Sequence, residues 1–248
     1  MAGPQTIFFL GATGGCGLST LWRSIAAGHT CIALCRTPSR FTDKLPESQR
    51  NAANLRIEEG NALDQSAVAK CLVKSTETNT RLVDTVVFTI GGAFQISKFA
   101  NDDPHTLLAA LSDARKGIGG ATGLPKIIAI STTGLSAHGR DFPLTLWPLY
   151  HFLLKEAHVD KKAMETLLIE SGESFVIVRP SLLKDGEDET NEKRRPVRVG
   201  VEDPSAGKLE SKEVGFMITR DDVGRWIFEE ALGVDGGKWT GKVVSVTY

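Results

Sequence analysis

The sequence predicts an α/β protein built on one doubly wound, mostly parallel sheet, and three observations predict it. Apolar runs of strand length alternate with segments of helical period. Several of the strand candidates are apolar on both faces, as strands covered from both sides should be. A glycine-rich turn joins the first strand to the first helix.

Strands are expected over Thr6–Leu10, Thr30–Leu34, Leu55–Glu58, Thr85–Thr89, Lys126–Ile130 and Phe175–Val178. Between the first two, Leu18, Leu21, Trp22 and Ile25 fall at i, i+3, i+4 and i+7 and give one helical stripe. Thr106–Ile118 and Asp160–Ser171 read as later helices. The stretch Lys184–Lys212 is rich in Glu, Asp, Lys, Arg, Pro and Gly. It reads as too polar for core and too long for a tight connection, hence a surface excursion or a lid. A short apolar run over Val214–Ile218, a helix over Asp221–Leu232 and a final strand over Lys242–Val246 follow. With no repeat and no linker between two cores, residues 1–248 read as one domain.

Composition narrows the function. Of 248 residues 41% are hydrophobic, enough for a full core, and the formal charge is −1. Such a balance offers no global field for nucleic acid or an anionic membrane. The four cysteines form no C-x-x-C pair and have no histidines at zinc spacing, so neither a metal site nor a disulfide is expected. No basic n-region precedes the first strand, and no apolar run nears the roughly 20 residues of a membrane helix. The expectation is a cytoplasmic protein, monomer or homodimer, whose partner is a small-molecule substrate.

The chemistry starts at Phe8-Phe9-Leu10-Gly11-Ala12-Thr13-Gly14-Gly15-Cys16-Gly17-Leu18. Gly11 turns the chain sharply off the strand, Gly14 and Gly15 let a pyrophosphate approach the backbone, and Gly17 lets the helix pack on the sheet. The N–H groups of the first turn and the helix dipole then face the phosphates. Strand, glycine spacing, amphipathic helix and second strand follow in register, which makes this a dinucleotide-binding Rossmann-type unit. Cofactor choice is written after the second strand, in Leu34-Cys35-Arg36-Thr37-Pro38-Ser39-Arg40. No acid is present there for ribose hydroxyls, and two guanidinium groups are present for a 2′-phosphate. NADP(H) is favoured.

These residues, with five further segments, resemble an atypical short-chain dehydrogenase/reductase of the NmrA-like, NAD(P)H-binding branch over nearly the whole chain. The further segments are Gly60-Asn61-Ala62-Leu63-Asp64, Thr89-Ile90-Gly91-Gly92, Ile130-Ser131-Thr132-Thr133-Gly134, Val178-Arg179-Pro180-Ser181 and Ile218-Thr219-Arg220-Asp221-Asp222-Val223. The resemblance implies that Cys16, Gly17 and Leu18 lie along the phosphates, that Asn61 and Ala62 flank the adenine, and that Thr89, Ile90 and Gly91 lie beside the nicotinamide ribose. It adds Ser131 and Pro180 to the cofactor-binding set.

The departures from that family matter more. Its standard members carry a Tyr and, four residues later on one helix, a Lys that lowers the phenol pKa for proton exchange with the substrate carbonyl. The family's Lys-x-x-x-Glu is matched by Lys161 and Glu165, which puts Ala157 at the tyrosine position. Of the two tyrosines, Tyr248 is the last residue. Tyr150 would sit roughly 16 Å from Lys161 along a continuous helix, and it lies about 140° around the helix from Lys155. The standard relay is absent. Lys161 itself shares the inward stripe of Met164 and Leu168, whereas Lys162 falls toward solvent; the bland alternative is a surface Lys161–Glu165 pair. The resemblance gives Lys161 the nicotinamide ribose.

For the proton, Ser131, Thr132 and Thr133 end the fifth strand at the family's catalytic serine position, with Thr132 first among them. Tyr150 and His138, in the loop Ser136–Asp141, are the other donors. The segment Trp147–Leu154, with His151 and the nearby His158, reads as core or as the wall of a substrate pocket. The expected activity is NADPH-dependent reduction of a small, apolar or aromatic substrate at a carbonyl or an activated double bond, similar to tailoring reductases of specialised metabolism. A redox-neutral cyclase or isomerase that keeps NADP(H), and a non-catalytic NADP(H) sensor, stand as alternatives.

Overall fold

A computed structural model describes residues 3–75, 80–90, 106–119, 123–146, 148, 155–186 and 195–248. Its elements run β1 (Thr6–Leu10), α1 (Gly15–Ala26), β2 (Thr30–Cys35), α2 (Pro38–Thr42), β3 (Leu55–Glu59), α3 (Gln65–Leu72), β4 (Val73–Ser75), β5 (Thr80–Leu82) and β6 (Thr85–Phe88). There follow α4 (Thr106–Gly117), β7 (Lys126–Ile130), α5 (Lys155–Glu170), β8 (Phe175–Pro180), β9 (Leu182–Lys184), β10 (Arg198–Asp203), β11 (Lys208–Ser211), β12 (Met217–Thr219), α6 (Arg220–Trp226) and β13 (Lys242–Thr247). The nine-stranded sheet has the order β11-β10-β13-β8-β7-β6-β1-β2-β3.

From β13 to β3 every pairing in this sheet is parallel; β10 and β11 add on antiparallel. Side chains of β1 show why both faces must be covered. Ile7 and Phe9 enter one apolar cluster with Leu21, Ile25 and Trp226 of α1 and α6, and Phe8 and Leu10 enter another with Val68, Leu111 and Met164 of α3, α4 and α5. Successive strands step outward from β1 in opposite directions, through β2 and β3 on one side and β6, β7 and β8 on the other. The reversal opens a crevice beyond the carboxyl ends of β1 and β6, which is where such sheets receive ligands.

Four expectations need correction. Lys184–Lys212 is not an irregular excursion where it is described. Arg198–Asp203 and Lys208–Ser211 pair antiparallel and extend the sheet. Polarity misled because Glu202, 7% exposed, is buried against the guanidinium of Arg179 at 2.9 Å; a buried charge is tolerated when paired. Residues 187–194 lie outside the described residues. The late helix begins one residue early at Arg220, capped by Thr219, whose hydroxyl accepts from Asp222 N at 3.1 Å. It then widens into a π-turn over Ile227–Ala231. Helix α5 starts at Lys155 rather than Asp160. The strand within the apolar run after the excursion is Met217–Thr219, parallel to β9 and outside the main sheet.

Helix α3 carried a readable signal that composition alone did not raise. Asp64 is its N-cap, accepting from Ser66 N and Ala67 N at 2.9 and 3.2 Å. All four cysteines are buried and free, and burial pushes the Cys16 and Cys31 thiols up to about 12. Burial and a raised pKa both disfavour the thiolate that a nucleophile needs. Among the described residues no helix is long and apolar enough to cross a membrane, and no cluster of His, Cys, Asp or Glu could hold a metal ion.

Candidate dinucleotide-binding site

The crevice begins at the turn after β1. Gly11 has φ +100°, and a Cβ there would stand 2.7 Å from Thr89 Oγ1 and 2.8 Å from the backbone nitrogen of Ile90. Only glycine supports that conformation without strain. The Thr89 hydroxyl donates to the Gly11 carbonyl at 3.1 Å and so ties the end of β6 to the glycine turn. Thr89 is therefore a builder of the turn, and its hydroxyl is already occupied.

Gly14 is the N-cap of α1 and supplies no side chain, and the first helical turn holds no acid. The orphan N–H groups of that turn, those of Gly15, Cys16 and Gly17, are left for an outside acceptor, with the positive end of the helix dipole behind them. A buried Cys16 contributes its backbone only, and Leu18 N closes the turn on the Gly14 carbonyl at 2.7 Å.

From this turn a groove of about 430 Å³ runs outward. Gly11, Thr13, Gly14, Thr89 and Ile90 line its inner part, and Leu34, Cys35, Arg36, Asn61, Ala62 and Leu63 its outer part. Asn61 shapes the outer wall by accepting from Leu63 N at 3.1 Å. The side chains of Leu34, Ala62 and Leu63 make part of this outer wall apolar. Arg36 is exposed and makes no ion pair among the described residues. Among the described residues no acid lines the groove. Thr37 and Arg40 are exposed on the neighbouring α2 segment and do not line it. A cation that sequence reasoning missed is Lys44, whose ammonium donates to the Thr13 carbonyl at 2.9 Å. The cations Arg36 and Lys44 beside an uncapped helix end fit a dinucleotide phosphate backbone.

At the adjacent strand ends stands Lys161. Its Nζ donates to the carbonyls of Ile130 at 2.8 Å and Ile90 at 3.3 Å. It is half-buried while Lys162 is exposed. Burial pushes its pKa down to about 8, against the pull of Glu165 and Asp160. The surface Lys161–Glu165 pair does not exist. Glu165 is wholly buried and receives Arg179 Nε at 2.8 Å, Arg179 Nη2 at 2.7 Å and the Ser131 hydroxyl at 2.6 Å.

Ser131 is thus committed to Glu165. Thr132, next along the chain, is half-exposed, and its hydroxyl has no partner among the described residues. Thr133 is buried, its N–H on the Pro180 carbonyl at 3.1 Å. Pro180 is itself buried at the end of β8 and does not line the groove. His138 lines a different, smaller cavity with Asp141, Glu202 and Lys212, beneath the β10–β11 hairpin. Burial raises the pKa of Asp141 despite the bond its carboxylate accepts from Gly134 N at 2.7 Å. Gly91, Tyr150 and the segment 147–154 apart from Pro148 lie outside the described residues. Arg179 was within reach of the sequence, because an arginine ending the apolar run Phe175–Val178 demands a buried partner.

Known proteins share this sequence and this fold. The sequence profile of the NAD(P)H-binding family matches residues 11–232. A protein of Aspergillus terreus named Reductase pytE is 37% identical over 98% of this chain and 98% of its own. Oxidase pynE of Aspergillus niger is 32% identical with the same coverage of both chains. Among solved structures, a short-chain dehydrogenase/reductase from Veillonella parvula in complex with NADP superposes with a TM-score of 0.69 at 18% identity, over 98% of this chain and 94% of that one. By its sequence and its glycine turn alike, the chain belongs to the NAD(P)H-binding family.

Proposed function

We propose that the protein is an NADPH-dependent reductase of a small, apolar or aromatic organic substrate, acting on a carbonyl or an activated double bond. The observation that carries this reading is the groove itself, in which the acid-free outer part presents Arg36 while Lys161 stands at the strand ends beyond its inner part. The relatives named a reductase and an oxidase support a redox reaction.

When bound, NADPH supplies hydride to the acceptor carbon. This chain's residues do the rest. The N–H groups at the start of α1 and the Arg36 guanidinium hold the phosphates. Lys161, already directed by two carbonyls, would hold the nicotinamide ribose when the cofactor is bound. Thr132 donates a hydrogen bond to the substrate oxygen and passes it a proton drawn from solvent. This assignment replaces the missing tyrosine with Thr132, whose hydroxyl has no partner among the described residues. The small cavity around His138 has no part in it.

The test is a titration of the purified protein with NADPH and NADH, followed by a panel of ketones, aldehydes and enones while the absorbance of the reduced nicotinamide is recorded. Acceptor-dependent loss of NADPH is expected. Tight NADPH binding with no oxidation by any acceptor would overturn the reductase in favour of a sensor or a redox-neutral enzyme.

A further inference from the structure

The segment Ile218–Val223 opens α6, and the groove as described leaves it without a task. Its residues divide the work. Asp221 receives Arg23 Nη1 and Nη2 of α1, both at 2.9 Å, and the Ser19 hydroxyl at 2.8 Å. Thr20 adds a bond from its hydroxyl to the Gly224 carbonyl at 3.1 Å. Helices α1 and α6 are clamped together, so Arg220 at the start of α6 is held in fixed relation to the start of α1.

The arm of Arg220 lies against Gly15. A Cβ on Gly15 would stand 2.8 Å from Arg220 Cβ and closer still to its Cδ, so no larger residue fits at that position. Its charge is felt at Cys16, where it opposes the upward push of burial on the thiol. Its own partner is Asp185, at 2.6 Å, whose side chain is 91% exposed. A guanidinium, the uncapped positive end of α1 and the Lys44 ammonium on Thr13 thus gather around one glycine turn. Like charges brought together repel unless an anion joins them, and one solvated carboxylate is little compensation.

We propose that Arg220 is a binding residue for the diphosphate of the dinucleotide, exchanging Asp185 for the phosphate oxygens when the cofactor enters. The inference rests on the dinucleotide reading of the groove and adds a residue from the far end of the chain to it. Arg220 acts on the diphosphate, common to NADPH and NADH, whereas Arg36 acts on the 2′-phosphate that only NADPH carries. Two arginines divide affinity from selectivity.

The test uses Arg220→Met, which keeps the arm that packs on Gly15 and removes the charge, with Arg220→Lys as the conservative variant. Binding of NADPH, NADH, ADP-ribose and adenosine 2′-monophosphate is measured by calorimetry, with thermal melting of each free variant to establish folding. Arg220→Met should weaken all three diphosphates alike by roughly tenfold or more. It should change adenosine 2′-monophosphate less than about twofold, and Arg220→Lys should recover part of the loss. Wild-type NADPH affinity in a folded Arg220→Met protein would overturn the inference while leaving the reductase reading intact. Failure of the wild-type protein to bind any dinucleotide would instead remove the reading beneath it.

Discussion

Arg179 grips Glu165 through two hydrogen bonds, 2.8 and 2.7 Å long, across the interface between β8 and α5. Both side chains are all but sealed from water, at 3% and 0% exposure. Removing one member leaves the other charged and unsolvated. Glu165→Ala should therefore lower stability by about 3–5 kcal/mol, read as a shift in the urea midpoint. A loss below about 1 kcal/mol would mean that water or Glu202 compensates the guanidinium in full.

Lys161 gives a pH dependence with a definite sign. Its folded pKa of about 8 lies below the ordinary 10.5, so the folded protein sheds this proton before the unfolded chain does. Below pH 8 both states hold the proton and the cost of burying the charge is paid in full. Between about pH 8 and 10.5 the unfolded chain holds more protons, and this residue's contribution to stability rises with pH. Cofactor affinity should move the opposite way, falling through pH 8 as the ammonium is lost. Lys161→Met should abolish both trends, whereas Lys162→Met should preserve them.

The guanidinium of Arg36 faces the groove with no competing ion pair among the described residues. Charge-assisted contacts of this kind contribute about 1.5–3 kcal/mol each. Arg36→Ala should weaken NADPH by roughly tenfold or more and leave NADH nearly unchanged. Equal affinity of the wild-type protein for the two cofactors would remove the NADP preference altogether.

Thr132→Val keeps the shape of the side chain and deletes the hydroxyl. Turnover should drop by roughly a hundredfold, the lower end for a lost general acid, with NADPH affinity intact. Ser131→Ala should act differently, costing stability because it strips a 2.6 Å bond from the buried Glu165 carboxylate. If the two substitutions gave the same kinetic defect, Thr132 would lose its role as donor.

The sequence revealed the parts governed by local pattern. The glycine turn, the strands apolar on both faces and the inward register of Lys161 all follow from spacing of two, three or four residues. What it hid depends on long-range pairing. Arg179, Glu165 and Glu202 are separated by 14 and 23 positions along the chain from Arg179, and only the fold closes them into one buried network. The same reason concealed the β10–β11 hairpin, whose acidic strand residue belongs inside once Arg179 is known. Arg220 was visible as part of a motif, but its contact with Gly15 spans almost the whole chain.

The sheet that this hairpin enlarges still has to end somewhere. Its last strand, Lys208–Ser211, is four residues long and mostly exposed, its Glu210 is paired with Lys242 at 2.9 Å, and the ladder behind it slips at Val201/Glu202. At the opposite border β3 presents Arg56 and Glu58, joined at 3.0 Å. A neighbouring molecule that tried to add a strand at either border would have to strip water from these charges, and at one border would meet a kinked, short template. Both margins of a nine-stranded ladder are thereby made poor seeds for fibre growth.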